Sequence, residues 1–207
     1  FGCPHGMTER GMGAAVGQDP EIAKMVVEWV MEKATIPVIT KLTPNVHSVV
    51  PTGRAAVEGG TNALSLINTI QSVTGIDLDT LVPNPFVAGQ SVFGGYCGPA
   101  VKPIALKMLT TIAQDPLTSK VPVSGIGGVS TWKDAVEFML LGSTTVQVCT
   151  AAMNHGFRIV EDMCEGLNNW MDEKGFKTLD DFIGKSVEKI THWEDLDINY
   201  HHIAKID

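Results

Sequence analysis

Short apolar segments typical of buried strands alternate with segments of helical periodicity through most of this chain. The strand patterns cover residues 38–43, 63–69, 121–126 and 144–150. Parallel strands need a long crossover connection, and a helix is the usual one. The alternation therefore predicts an α/β fold in which four parallel strands form one sheet.

Local signals mark where several helices begin and end. Asp19, Pro20 and Glu21 form a helix start, with a capping carboxylate, a proline at the first helical position and an acid in the first turn. Apolar residues then recur at helical spacing between residues 22 and 30. Ser130 is expected to cap a helix that stops at Gly142. Other helices are expected over residues 54–58, 104–112 and 160–171.

Four strands do not close an eight-stranded barrel. We expect residues 1–173 to be the C-terminal half of a (β/α)8 TIM barrel, with a further strand preceding residue 1. The alternative is a complete doubly wound domain. The half-barrel is favoured because the ends of the last two strands resemble the phosphate site that such barrels often carry. Residues 174–207 are more polar, and we expect them to lie outside the main fold as a C-terminal extension.

The composition excludes several classes of partner. The 207 residues are 44% hydrophobic and 18% charged, have a net charge of −8 and contain no run of Lys or Arg. Nucleic acid and anionic membrane surfaces are therefore not expected partners. The four cysteines form no C-x-x-C pair, so neither a metal site nor a local iron–sulfur cluster is expected. They do not form a secreted disulfide framework either, and the reducing cytoplasm is the expected location.

Two strand ends carry residues suited to binding a phosphate group. Gly127 and Gly128 follow the third strand pattern, and Cys149 and Thr150 end the fourth. Glycine lets backbone N–H groups approach an anion, and the N-terminus of the following helix adds a favourable dipole. A tight turn between strand and helix explains the glycine pair equally well.

Other positions carry polar groups that a core does not require. Lys41 lies near the end of a buried strand, where an ammonium is costly without an anion, so it either neutralises a cofactor or reaches solvent. Asn68 and Thr69 end the next strand, and an amide there suits either a planar ring or a capping turn. Cys3, between a glycine and a proline, is a candidate acid, base or nucleophile. A buried unreactive thiol is the commoner fate of a free cysteine.

Three further segments were weighed for function. Residues 70–98 contain several Gly and Pro and little periodicity, and so long a connection inside a compact domain is usually functional. Residues 11–17 loosely imitate a dinucleotide fingerprint, but they follow a polar loop rather than a strand, which excludes that interpretation. His201 and His202 lack a third ligand at useful spacing, so no metal is expected there.

Six groups of residues along the chain are informative in combination: Phe1-Gly-Cys-Pro-His-Gly-Met-Thr-Glu-Arg-Gly-Met-Gly13, Lys41-Leu-Thr-Pro-Asn45, Ile67-Asn-Thr69, Gly94-Gly-Tyr-Cys-Gly98 followed by Pro103-Ile-Ala-Leu106, Gly127-Gly128 and Gln147-Val-Cys-Thr150. Together they resemble the NAD-dependent dihydropyrimidine dehydrogenases, and within them the FMN-bearing catalytic domain or subunit. The resemblance covers residues 1–167. Class 1 dihydroorotate dehydrogenases share the barrel, the Cys-Pro pair and Lys-x-x-Pro, but the remainder of the first motif favours the pyrimidine-reducing branch.

The resemblance implies a reaction and its cofactors. Uracil or thymine is reduced to the 5,6-dihydropyrimidine, with a hydride passing from N5 of FMN to C6 and a proton passing to C5. FMN belongs to this domain. NADH is oxidised by a partner subunit carrying FAD and 4Fe–4S clusters, and a ferredoxin-like domain is expected after the C-terminal extension. A homo- or hetero-oligomer is also implied.

The resemblance gives a role to each matching residue. Cys3 is the general acid and base at C5 of the pyrimidine, and Lys41 stabilises anionic reduced FMN. Asn68 and Thr69 hydrogen-bond the pyrimidine ring, with help from the backbone of Phe1 and Gly2. The loop of residues 8–13 closes over the substrate. The ribityl phosphate of FMN is held by Gly98, Ile126, Gly127, Gly128, Cys149 and Thr150.

One position departs from the family pattern, and two other functions stay open. Cys97 stands where the family carries serine in Gly-Gly-x-Ser-Gly, so a backbone contact from Gly98 is expected and a hydroxyl contact is not. A dihydroorotate dehydrogenase-like oxidation requires cationic groups for the orotate carboxylate, and the loop of residues 8–10 offers only Arg10. A non-catalytic phosphate-binding barrel or scaffold leaves Cys3 and Lys41 unexplained.

Overall fold

A computed structural model describes residues 1–2 and 13–196 of the chain. Its elements, in chain order, are α1 (Ala14–Gln18), α2 (Pro20–Lys33), β1 (Ile39–Lys41), α3 (Val50–Glu58), β2 (Ala63–Leu66), β3 (Ile70–Ser72), β4 (Gly75–Ile76), β5 (Pro83–Asn84), β6 (Phe86–Val87), β7 (Gln90–Ser91), β8 (Gly94–Tyr96), α4 (Lys102–Gln114), β9 (Val123–Ile126), α5 (Trp132–Leu140), β10 (Thr145–Gln147), α6 (Thr150–His155) and α7 (Ile159–Lys174).

The main sheet contains the four predicted strands, in the order β1-β2-β9-β10. Every neighbouring pair is parallel, which confirms the predicted α/β fold with a parallel sheet. Each strand lies beside the strand that precedes it in this sheet, so the order never reverses. A reversal of strand order creates the ligand crevice of a doubly wound fold, whereas a continuous order is the arrangement found in a barrel wall.

One face of the sheet forms the hydrophobic core with the helices. Leu64 and Leu66 of β2 are fully buried, and Gly125 of β9 leaves space that the ring of Phe138 fills. Burying a leucine side chain stabilises a fold by about 1.5–3 kcal/mol. The same cluster draws residues from four successive helices, including Val27, Ala56, Leu109 and Phe138.

The opposite face of the sheet is polar. Because side chains alternate along a strand, the paired residues Lys41, Ser65, Ser124 and Gln147 share this face. The Gln147 Nε2 donates to Ser65 Oγ at 2.9 Å and to Ser124 Oγ at 2.8 Å. Ile39 on this face is 56% exposed. The polar face therefore has no helix layer among residues 13–196.

The long connection between β2 and α4 leaves the sheet and returns to it. It contains three short antiparallel ladders, β3 with β8, β4 with β5 and β6 with β7. The β3–β8 ladder pairs Ile70 with Tyr96, so the segment after β8 re-enters beside the segment after β2. This segment shows little periodicity in the sequence because ladders of two or three residues are too short to produce it.

The segment after α7 packs against the main fold up to residue 190. Phe182 is fully buried and makes an edge contact with Trp170 at 5.0 Å between ring centroids. The Gly184 and Ser186 amides donate to carbonyls at the end of α5. The expectation that polar residues from 174 onward lie outside the main fold therefore does not hold for this stretch, because one buried aromatic anchors it.

Two helix starts test the capping predictions. The Asp19 carboxylate accepts hydrogen bonds from the Glu21 and Ile22 amides, as predicted. The cap of α5 is Thr131 rather than Ser130, and it forms a capping box with Asp134. No helix among the described residues is long and apolar enough to cross a bilayer.

Candidate active site

A cleft opens at the carboxyl ends of the main strands. This is the end at which parallel α/β barrels place their active sites. Each of β1, β2, β9 and β10 contributes to it, and so does the turn before α4. Its lining is Lys41, Ile67, Asn68, Thr69, Cys97, Gly98, Val101, Ile126, Gly127, Gly128, Val129, Ser130, Gln147, Cys149 and Thr150.

Lys41 carries the only formal charge among these lining residues. It is the last residue of β1 and lies directly opposite Ser65 of β2. Its ammonium makes no hydrogen bond or ion pair with any residue that the structure describes. A half-buried ammonium without a partner favours an anionic ligand in the cleft.

Asn68 and Thr69 extend β2 into the cleft, where Asn45 holds the backbone that carries them. The Asn45 Nδ2 donates to the Thr69 carbonyl at 3.0 Å, and the Gln71 amide donates to Asn45 Oδ1 at 2.8 Å. One amide side chain thus fixes the segment on both sides of Ile70. Asn45 appeared in the sequence only as the end of Lys-Leu-Thr-Pro-Asn, and its role depends on a contact across 24 residues.

Gly98, Gly127 and Gly128 form two turns that touch each other. Their φ angles are +89°, +138° and +77°, a region that residues with a Cβ rarely adopt. A Cβ built on Gly128 would lie 2.8 Å from the Gly98 carbonyl oxygen and 2.9 Å from Lys102 Cβ. Only glycine allows this approach, which places the two turns side by side at the cleft wall.

The residues after β10 complete this wall. Cys149 precedes α6, and Thr150 is its first residue. The Thr150 Oγ1 lies 3.3 Å from Cys97 Sγ. Cys97 therefore contacts Thr150, one of the predicted phosphate-binding residues, from the position that is serine in the family motif. Cys97 and Cys149 are both free thiols.

The first two residues approach the predicted substrate side of the cleft. The Asn68 Nδ2 donates a hydrogen bond to the Gly2 carbonyl, and the Phe1 carbonyl packs where a Cβ on Gly17 would lie. Gly2 and Asn68 are therefore brought together, as the resemblance implied. Cys3, Arg10 and the loop of residues 8–12 lie outside the described residues.

Sequence reasoning missed the structural role of Gln147. It ends β10 and joins Ser65 and Ser124 on the polar face, directly below the cleft. Polar residues at alternate positions of three strands are the signal that could have identified this layer. No group of three or more acidic, His or Cys side chains suited to a metal occurs among residues 1–2 and 13–196.

Comparison with known proteins identifies the family of this chain. The family model for dihydroorotate dehydrogenase matches residues 2–171. The chain belongs to this family. The chain is 42% identical over 200 residues to the NAD-dependent dihydropyrimidine dehydrogenase subunit PreA of Escherichia coli K12, covering 97% of the chain and 48% of that protein.

Two other relatives show the range of the family. The chain is 46% identical over 199 residues to the chloroplastic dihydropyrimidine dehydrogenase (NADP(+)) of Arabidopsis thaliana, covering 95% of the chain and 47% of that protein. It is 37% identical over 186 residues to the catalytic subunit of dihydroorotate dehydrogenase B (NAD(+)) of Thermococcus kodakarensis, covering 90% and 58%. The chain thus spans about half the length of these relatives, and the resemblance to dihydropyrimidine dehydrogenases is confirmed.

Membership of this family implies FMN, and the cleft fits it. A phosphate group requires clustered backbone N–H groups, and the turns at Gly98 and at residues 127–128, whose positive φ values suit glycine, are part of the cleft lining. A flavin ring that carries negative charge requires a nearby cation, and Lys41, which pairs with none of the described residues, lines the same cleft. The donor set therefore suits this cofactor on both its phosphate and its ring.

Proposed function

We propose that this chain provides the FMN- and pyrimidine-binding cleft of a dihydropyrimidine dehydrogenase, which reduces the C5–C6 double bond of uracil or thymine. The observation that carries the proposal is that Lys41, Asn68 and the glycine turns line one cleft, with the Asn68 amide also holding the Gly2 carbonyl. The two relatives named as dihydropyrimidine dehydrogenases have the highest identities quoted above.

Each described residue has a task in this reaction. FMN, when bound, supplies a hydride from N5 to C6 of the pyrimidine. Gly98, Ile126, Gly127 and Gly128, with Cys149 and Thr150, hold the phosphate, while Lys41 offsets negative charge on the flavin ring. The amide of Asn68 and the hydroxyl of Thr69 offer donors and acceptors to the carbonyl and N–H groups of the pyrimidine, together with the backbone of Phe1 and Gly2.

Cys3 is the proposed proton donor to C5. It follows Gly2 directly in the sequence, and the Gly2 carbonyl is held by Asn68. A cysteine thiol has an ordinary pKa of about 8.5, so it is mostly protonated at neutral pH and able to donate. The loop of residues 8–13 is proposed to close over the substrate, which would exclude water from the reduced cofactor.

The wider assembly follows from the same resemblance. We propose that residues 1–173 are half of a (β/α)8 barrel, and that residues 174–207 lead to a ferredoxin-like domain. The continuous strand order supports the barrel, and the similar proteins named as subunits support a partner. That partner is proposed to carry FAD and 4Fe–4S clusters, to oxidise NADH in the cytoplasm and to form a hetero-oligomer with this protein; a homo-oligomer is the alternative.

Oxidation of dihydroorotate is the second candidate, because the family and several relatives carry that name. The orotate carboxylate requires a cation besides Lys41, which is assigned to the flavin. Arg10 is the candidate in the first motif, and it lies outside the described residues.

The test uses the complete protein that contains this chain, purified with its electron-transfer partner. NADH and uracil, thymine or orotate are supplied, and product is identified by mass spectrometry, with dihydroorotate plus NAD⁺ as the reverse arm. The proposal expects 5,6-dihydrouracil or 5,6-dihydrothymine and no turnover of orotate. Turnover of orotate or dihydroorotate alone would transfer the assignment to the second candidate.

A further inference from the structure

Two of the loops that are proposed to hold the phosphate lie side by side in the cleft wall. One is the turn at Gly98, which leads through residues 99–101 into α4 at Lys102. The other is the turn at residues 127–130, between β9 and α5. Their backbones meet where Gly128 lies against Gly98 and Lys102. A phosphate bound by both loops depends on their separation.

A single carboxylate links these loops. The Asp134 Oδ1 accepts from Lys102 Nζ at 2.6 Å. The Asp134 Oδ2 accepts from the Ser130 amide at 2.9 Å and from the Thr131 amide at 2.8 Å. One oxygen therefore holds the first residue of α4, and the other holds the end of the glycine loop.

The link is partly shielded from water. The side chains of Lys102 and Asp134 are 25% and 14% exposed. Hydrogen bonds to Asp134 and Glu137 raise the pKa of Lys102. Burial would raise the pKa of Asp134, but hydrogen bonds from Lys102 and from the Ser130 and Thr131 amides lower it overall. Both groups are therefore ionised near neutral pH.

Glu137 provides an internal comparison. It accepts from the same ammonium at 2.8 Å, but its side chain is 46% exposed. It forms no hydrogen bond or ion pair with the described residues 127–131 and lies one turn further along α5. Loss of Glu137 would remove an ion pair of Lys102 and leave the two loops joined.

We propose that Lys102 and Asp134 are positioning residues that fix the spacing of the two phosphate-binding loops without touching the phosphate. Lys102 is absent from the cleft lining, and its ammonium is directed to two carboxylates instead. This inference rests on FMN being the cofactor. It deepens the proposed function by naming the contact that shapes the phosphate side of the site.

The test measures FMN binding to the complete protein in four variants. Lys102→Met removes the ammonium and keeps the methylene packing, whereas Asp134→Asn keeps an oxygen for the loop amides and loses the charge. Glu137→Gln is the control that leaves the loops joined, and Lys102→Arg restores a cation. The readouts are the dissociation constant of FMN, the ³¹P resonance of bound FMN and the visible absorption of the flavin ring.

The expected result separates a positioning role from general stability. Lys102→Met and Asp134→Asn each weaken FMN binding by about tenfold and shift the ³¹P resonance, with the visible spectrum unchanged. Their effects do not add in the double variant, because both break the same link. Glu137→Gln resembles the wild type, and Lys102→Arg recovers most of the affinity.

Four outcomes would overturn the inference. An unchanged ³¹P resonance in both variants would do so, as would an effect of Glu137→Gln equal to that of Asp134→Asn. Wild-type protein without affinity for FMN would overturn the cofactor assignment as well, whereas wild-type affinity in all four variants would overturn the positioning role alone. If Asp134→Asn does not fold, Lys102→Met compared with Lys102→Arg decides the question.

Discussion

Substitution of Gly128 by alanine tests the close approach of the two loops. The new Cβ would lie 2.8 Å from the Gly98 carbonyl oxygen, 2.9 Å from Lys102 Cβ and 3.1 Å from the Lys102 backbone nitrogen. Two of these atoms are backbone, so relief requires one loop to move. Gly175 has a similar φ of +73°, lies in the left-handed region and has no atom within 4 Å of a built Cβ, which makes Gly175→Ala a suitable control.

The expected loss of stability has two components, backbone strain and steric crowding. A left-handed φ costs an alanine about 1–2 kcal/mol, and both variants bear this cost. Overpacking adds about 1–3 kcal/mol, and only Gly128→Ala bears that. We therefore expect Gly128→Ala to lower the free energy of unfolding by about 1–3 kcal/mol more than Gly175→Ala.

The same movement would displace phosphate donors. Loss of one hydrogen bond to a charged group costs about 1.5–3 kcal/mol, which corresponds to roughly ten- to hundredfold weaker binding. Urea unfolding and fluorescence titration with FMN measure the two effects. If Gly128→Ala binds FMN as tightly as the wild type, or if Gly175→Ala weakens binding equally, the reasoning about the loop contact is refuted.

Phe182→Ala should destabilise the protein by about 3–5 kcal/mol in urea unfolding, because it empties a fully buried site. Phe157→Ala, at a ring that is 87% exposed, is the control, and equal effects would contradict the packing of residues 175–190. The side-chain hydrogen bond from Arg54 lowers the pKa of Asp115 from 3.8 to about 2. Stability is therefore expected to fall as pH drops from about 4 towards 2, by at most about 2 kcal/mol; Asp115→Asn should remove this loss, and a persistent loss would exclude Asp115 as its source. Lys41→Met should lower the flavin reduction potential, since it removes the only charge that the described residues contribute to the cleft lining; a potential equal to that of the wild type in spectroelectrochemical titration would contradict a role near the ring.

Features determined by short stretches of sequence were predictable. The four strands, the Asp19 cap and the turn at Gly127 and Gly128 depend on residues within a few positions of one another, and the structure contains all of them. The membership of Lys41, Asn68 and Thr150 in one cleft followed from parallel topology, which places the strand ends at one edge of the sheet.

Features that depend on distant contacts were not predictable from the sequence. The Asp134 carboxylate pairs with Lys102, which is 32 residues away in the sequence. Phe182 occupies a polar segment, and only its contact with Trp170 brings it into the fold. Asn68 and Gly2 form a hydrogen bond although they are 66 residues apart in the sequence. No pattern among neighbouring residues predicts a contact over that separation.

The most direct test of the account is the oxidative half-reaction of the complete protein without its partner. The flavin is photoreduced without oxygen, uracil is added, and reoxidation is followed by absorbance in wild type and in Cys3→Ala. The account predicts rapid reoxidation by uracil in the wild type and a strong slowing in Cys3→Ala with FMN still bound. Equal rates in the two proteins, or reoxidation by orotate alone, would contradict it.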